Sequence, residues 1–200
     1  IDLTKQPRIS SGFTEFDRVL GGGIVRGAVV LIGGNPGAGK STLLLQTVAK
    51  LSMQHKVLYV TGEESLQQVA LRANRLGLQT QNVKIAAETS IDAICQMAST
   101  EKPEILIVDS IQVMHVTGIE SAPGSVSQVR EAAAALTQFA KRSSVSVFMV
   151  GHVTKDGTLA GPKILEHCVD CSVILEAGTD MRYRTLRCQK NRFGAVNEIG

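Results

Sequence analysis

Val29-Val30-Leu31-Ile32-Gly33-Gly34-Asn35-Pro36-Gly37-Ala38-Gly39-Lys40-Ser41-Thr42-Leu43-Leu44-Leu45 holds a complete G-x-x-x-x-G-K-[ST] phosphate-binding loop, from Gly34 to Ser41. Residues 28–32 are apolar and β-branched, as a buried parallel strand requires, and residues 42–51 read as a helix. That frame suits phosphate chemistry. Glycines let the backbone curl until its N–H groups converge on phosphate oxygens, and the helix N-terminus adds positive potential. In such a loop Lys40 reaches the β- and γ-phosphates and the Ser41 hydroxyl holds Mg²⁺. The pattern predicts a nucleoside-triphosphate site at Gly34, Asn35, Pro36, Gly37, Ala38, Gly39, Lys40, Ser41 and Thr42.

Outward from the loop, strand and helix patterns alternate. Residues 56–60 read as a short strand, and 65–76 as a helix with Leu66, Val69, Ala70, Ala73 and Leu76 on one face. Residues 83–86 suggest another strand, and 90–98 a helix with Ser90 as N-cap. A strongly apolar strand over 104–109 ends in Asp109. A longer helix over 125–141 turns Val126, Val129, Ala133, Leu136 and Ala140 inward, and 144–150 is again strand. From about residue 169 two or three strands follow without helices between them. The prediction is an α/β fold, a mostly parallel sheet flanked by helices with an antiparallel extension at the C-terminal end. No repeat, low-complexity tract or linker divides residues 1–200, which read as one domain.

Composition narrows the class. The 200 residues are 44% hydrophobic and 20% charged, ordinary for a soluble globular chain, with a formal net charge of +3 that permits contact with nucleic acid without arguing for it. No apolar run approaches the ~20 residues of a membrane span and no signal peptide is visible, so no membrane is expected and the cytoplasm is the expected location. Starting at Ile1, the chain reads as a piece of a longer protein or a processed one. The four cysteines are scattered, and Cys168-Val169-Asp170-Cys171 lacks the second pair a zinc site would want. Buried structural thiols are the expectation there.

Further chemistry surrounds the loop. Asp109 has the pattern of a Walker B carboxylate, which positions Mg²⁺ opposite Ser41. Hydrolysis also needs a group to orient the attacking water. Glu63 and Glu64 follow the strand at 56–60; one of them could face the γ-phosphate from a strand beside the phosphate loop, or both could simply complement a helix dipole. Two polar, Gly/Pro-containing loops, at about 116–124 and 152–162, follow strands at the edge where α/β proteins place their sites.

Residues 11–24, Ser-Gly-Phe-Thr-Glu-Phe-Asp-Arg-Val-Leu-Gly-Gly-Gly-Ile, lead into the phosphate loop as in RecA-like ATPases. With Tyr59-Val60-Thr61-Gly62-Glu63-Glu64-Ser65, Asp109-Ser110-Ile111-Gln112, Gly151-His152-Val153-Thr154-Lys155-Asp156-Gly157 and Lys190-Asn191-Arg192-Phe193-Gly194, the chain resembles the RadA (Sms) family of bacterial DNA-repair proteins throughout its length.

The resemblance implies a RecA-like P-loop NTPase core binding ATP and Mg²⁺, with Lys40, Glu63, Asp109, Lys190 and Arg192 as its catalytic set and Glu64 as the alternate to Glu63. Ser41 and Asp109 attend the metal, and His152 senses the γ-phosphate. Lys155, Lys163 and Arg130 meet DNA, and Lys190 and Arg192 reach a neighbouring subunit's ATP. The implied activity is a DNA-dependent, helicase-like ATPase motor in DNA repair and homologous recombination. Its implied partners are single-stranded DNA, branched recombination intermediates, the RecA recombinase and its own copies in a hexameric ring. The family's N-terminal zinc module and C-terminal Lon-protease-like domain fall outside these 200 residues. A competing reading is a nucleotide-dependent oligomeric switch ATPase that does not translocate on DNA.

Overall fold

The computed structural model describes the backbone of residues 7–34, 39–152, 165–177 and 184–191, and the side chains of these up to residue 175. The chain opens with a two-residue strand β1 (Arg8–Ile9), helix α1 (Thr14–Val19) and β2 (Ile24–Val25), which pairs antiparallel with β1. The sequence pattern did not foresee this small sheet, because two-residue strands carry no periodicity. It is held by Arg8, whose Nη1 donates to the Leu20 and Gly23 carbonyls, and by the Asp17 carboxylate, which accepts from the Ser11 N–H at 2.8 Å.

Then come β3 (Val29–Gly34), α2 (Lys40–Leu51), β4 (Val57–Thr61), α3 (Leu66–Arg75), β5 (Val83–Ala87), α4 (Ile91–Glu101) and β6 (Ile105–Asp109). A 3₁₀ turn (Ile111–Val113), α5 (Val126–Ser143), β7 (Ser146–His152), β8 (Cys171–Ala177) and β9 (Arg184–Asn191) complete the described elements. Ser65, Ser90 and Ser125 cap α3, α4 and α5, each accepting a backbone N–H three residues on. At α3 the cap is reciprocal, since the Gln68 side chain accepts from the Ser65 N–H.

The larger sheet runs β5-β4-β6-β7-β3-β8-β9, parallel throughout except for the final β8–β9 pair. The expected mostly parallel sheet with an antiparallel C-terminal extension is what forms. Alternate residues of each strand point to opposite faces and fill two cores. One gathers Val30, Ile32, Tyr59, Ile107 and Phe148 against Phe16, Leu44, Val48 and Val69. The other sets Leu31, Leu58, Val60, Leu106 and Met149 against Ile91, Ile94, Val129 and Leu136. Both faces are covered, which explains the unbroken apolar strands.

Three expectations need correction. The strand that leads into Glu63 and Glu64 does not lie beside the phosphate-loop strand: β6 and β7 stand between β4 and β3. Strand order depends on crossovers, which a local pattern does not encode. The expected inward face of α3 is also too broad. Val69 and Ala73 are buried, whereas Leu66 and Leu76 are 45% and 38% exposed and Ala70 is exposed too. With β5 as the last strand of the sheet, the helix has little surface beyond it to cover. Val126, in the first turn of α5, is likewise 44% exposed rather than inward.

Candidate nucleotide site

The carboxyl ends of four parallel strands form one row, and pairing register sets their heights. Gly34 on β3 stands opposite His152 on β7, Asp109 on β6 opposite Val150, and Thr61 on β4 opposite Asp109. Two residues past Thr61 the chain reaches the height of His152, and that residue is Glu63. Open α/β sheets place ligands at this edge.

Two glycines shape the phosphate-loop ends. A Cβ on Gly34 would lie 2.5 Å from the Leu175 carbonyl oxygen of β8, so no larger residue fits between the strands. Gly39 has φ +86°, a left-handed turn that directs the chain into α2. Lys40 is 3% exposed, and its Nζ donates to the Gly34 carbonyl at 2.7 Å. Burial lowers the pKa of Lys40 from the usual lysine value; the negative charges of Asp109 and Glu63 act in the opposite direction. Gly39, Lys40, Ser41, Thr42 and His152 line one open cleft.

Asp109 is the hub. Its Oδ2 accepts from the Ser41 hydroxyl and from the Tyr59 hydroxyl, each at 2.7 Å. Burial, then the adjoining Asp109 charge and hydrogen bond, raise the Tyr59 pKa, so the phenol stays a donor. The Asp109–Ser110 peptide bond is cis, and the Ser110 hydroxyl donates to Glu63 Oε1 at 2.7 Å. His152 Nε2 lies 3.2 Å and 3.3 Å from the two oxygens of the same carboxylate. Ligand atoms of Glu63, Asp109 and His152 all fall within 4.8 Å of one another.

The structure separates the two adjacent glutamates. Glu63 enters this cluster, while Glu64 turns away to α3, where Arg72 Nη1 donates to its Oε1 at 2.6 Å. Thr61 Oγ1 accepts from the Glu64 N–H and sharpens the bend. Gly62 allows it. A Cβ there would come within 2.6 Å of Val113 and 2.9 Å of Met114.

Oxygen donors from a hydroxyl and a carboxylate already in contact are the chemistry a hard cation such as Mg²⁺ takes, so Ser41 and Asp109 fit that ion. Asn35, Pro36, Gly37 and Ala38 lie outside the described residues, as do Lys155, Lys163 and Arg192. Lys190 falls on β9, where the backbone alone is described. Arg130 is exposed on α5, close in sequence to the loop 116–124.

Pattern reading missed Tyr59, Ser110, Gln112 and Gln128. Tyr59 carries a signal, being a phenol flanked by the aliphatic Val57, Leu58 and Val60 that must find a partner for its hydroxyl. Gln112 gives none. Its Nε2 donates to the His152 carbonyl at 3.1 Å, joining the 3₁₀ turn to the end of β7. Gln128, 2% exposed, accepts from the Val116 N–H at 3.0 Å and donates to the Ile119 and Ser121 carbonyls at 3.1 and 2.7 Å. One helix side chain thus ties down much of the first polar loop.

Residues 5–158 match a family model described as an AAA domain. The chain belongs to that family. This AAA domain is also 66% identical over its full 200 residues to DNA repair protein RadA of Escherichia coli (strain K12), of which it spans 44%. Against DNA repair protein RadA of Bacillus subtilis (strain 168) the identity is 49%, with the whole chain matched and again 44% of the relative. The RadA resemblance read from the motifs is borne out, and the chain spans less than half the length of these relatives. Among solved structures, a KaiC-like protein of Pyrococcus horikoshii OT3 superposes with a TM-score of 0.77 at 20% identity, over 94% of this chain and 89% of that one. That likeness shows the fold to be the expected α/β one, a mostly parallel sheet flanked by helices.

Proposed function

We propose that residues 1–200 form the ATP-hydrolysing domain of a DNA-repair motor of the RadA type, acting on single-stranded DNA and branched recombination intermediates. The observation that carries the reading is the gathering of Glu63, Asp109 and His152 beside the buried Lys40 and the half-buried Ser41. On ATP binding, Lys40 exchanges the Gly34 carbonyl for phosphate oxygens, trading a neutral acceptor for charged ones. Ser41 and Asp109 would hold Mg²⁺, which neutralises charge on the phosphates. Glu63 orients the attacking water and accepts its proton, while Ser110 and His152 fix the carboxylate's position.

His152, the last residue of β7, would respond to the γ-phosphate, and in sequence the second polar loop follows it directly. Lys155 and Lys163 in and after that loop, with Arg130 beside the first, would grip the DNA backbone. Lys190 and Arg192 would complete the ATP site of the next subunit in a hexameric ring, since a cation supplied in trans stabilises transition-state charge only when subunits are aligned. The RecA recombinase is the expected companion, and the cytoplasm the expected location. Among the described residues no helix is long and apolar enough to cross a membrane.

The test is ATP hydrolysis with and without single-stranded DNA at low and physiological salt. Expected is stimulation by DNA that weakens as salt rises and disappears in Arg192→Ala, while ATP still binds. Hydrolysis indifferent to DNA in the assembled protein would overturn the motor and favour a nucleotide-dependent switch.

A further inference from the structure

We propose that the Tyr59 hydroxyl is a positioning group for Asp109, holding that carboxylate in the orientation that receives the metal. The inference rests on the reading of Ser41 and Asp109 as the metal-holding pair. Tyr59 is fully buried in β4, between Leu58 and Val60 and near Val57, all of them aliphatic and buried. A phenylalanine ring would fill the same space, and a buried hydroxyl is tolerated only when it finds a partner.

The partner is specific. Tyr59 stands opposite Ile107 in the β4–β6 register, and both side chains enter the same core. Asp109 lies two residues further along β6, on the same side of the sheet. The length of the phenol spans that step and delivers its proton to Oδ2 at 2.7 Å. Ser41 donates to the same oxygen at the same distance. Two donors occupy the lone pairs of Oδ2 and leave Oδ1 with acceptor capacity to spare.

The two donors differ in permanence. Ser41 sits in the cleft at the start of α2 and must turn its oxygen to a cation that enters there. Tyr59 is anchored in the core and has no reason to move. It keeps the carboxylate from swinging when the serine reorganises, as outer-shell hydrogen bonds do for metal ligands generally.

Tyr59→Phe and Asp109→Asn, made in parallel, test this by titrating Mg²⁺ into the protein with a fluorescent ADP analogue and by measuring turnover against Mg²⁺. For Tyr59→Phe the expected result is unchanged ADP affinity in chelator and an Mg²⁺ half-saturation raised about tenfold. Turnover should recover at high Mg²⁺. A thermal melt lowered with no change in Mg²⁺ half-saturation would overturn the proposal, because a merely structural hydroxyl acts that way. If Asp109→Asn moves the half-saturation and Tyr59→Phe does not, the tyrosine proposal alone falls. If neither moves it, the metal reading falls as well. In the unmutated protein, a ¹³C-labelled Tyr59 ring should shift when Mg²⁺ joins the ADP complex, and an unmoved resonance would also count against the proposal.

Discussion

Glu63→Gln should bind ATP as tightly as the unaltered protein and hydrolyse it roughly 10²- to 10⁴-fold more slowly, the range lost when a positioned general base is removed. The amide keeps the shape of the side chain and can still accept from Ser110, now 2.7 Å from Glu63 Oε1. What it loses is the capacity to take a proton from water. Single-turnover hydrolysis beside equilibrium nucleotide binding separates the two effects. Glu64→Gln is the informative contrast. Its carboxylate pairs with Arg72, whose side chain is only 22% exposed and whose Nε and Nη2 are buried without hydrogen-bond partners among the described residues. Weakening that pair should lower the melting temperature and leave turnover per folded molecule close to normal. A large loss of turnover in Glu64→Gln with none in Glu63→Gln would reverse the assignment.

Lys40→Ala should abolish measurable nucleotide binding, weakening it by roughly a hundredfold or more, as the loss of two charge-assisted hydrogen bonds implies. The lysine is almost wholly buried, with its ammonium already held at the loop, so no neighbouring cation replaces it among the described residues of the cleft. The sign of the pH dependence follows from the same burial. Bound phosphate favours the protonated amine, so affinity is full while Lys40 is charged in the free protein and falls as pH rises through its pKa. Because burial sets that pKa below the ordinary 10.5, the decline should begin at lower pH than an exposed lysine would give. Nucleotide titrations at stepped alkaline pH read this directly. Affinity that rises with pH, or a Lys40→Ala protein that still binds ATP normally, would remove the lysine from the site.

Much of this was legible in the chain because the phosphate loop fixes its own neighbours. A buried strand must precede it and a helix must follow, and β3 and α2 do so. Asp109 was legible for the same reason, as an acid that ends five buried residues of strand. The order of the strands was not. β4 and β3 are separated by two strands whose place depends on crossover connections. Nor could the residue pattern by itself choose between Glu63 and Glu64, where only the family resemblance favoured Glu63. The choice is made by the tight turn at Gly62, pressed against Val113 and Met114, and by a guanidinium one helix away. Gln128 was illegible as well: it looks like an ordinary polar helix residue, and only the fold of the preceding loop around its amide gives it a role.

The central place of β3 has a consequence for how the protein is made. Val29-Val30-Leu31-Ile32 leaves the ribosome early, yet its two sheet partners begin only at Ser146 and Cys171. At about 5–20 residues per second, this apolar strand waits on the order of ten seconds for a partner. A product cut before residue 146 carries the whole phosphate-loop motif, but its β3 lacks both strands that pair with it. Nucleotide affinity should therefore emerge late in refolding, after helical signal, when both are followed in one stopped-flow experiment. Affinity that appears with the first helices would show that the loop shapes itself without its sheet.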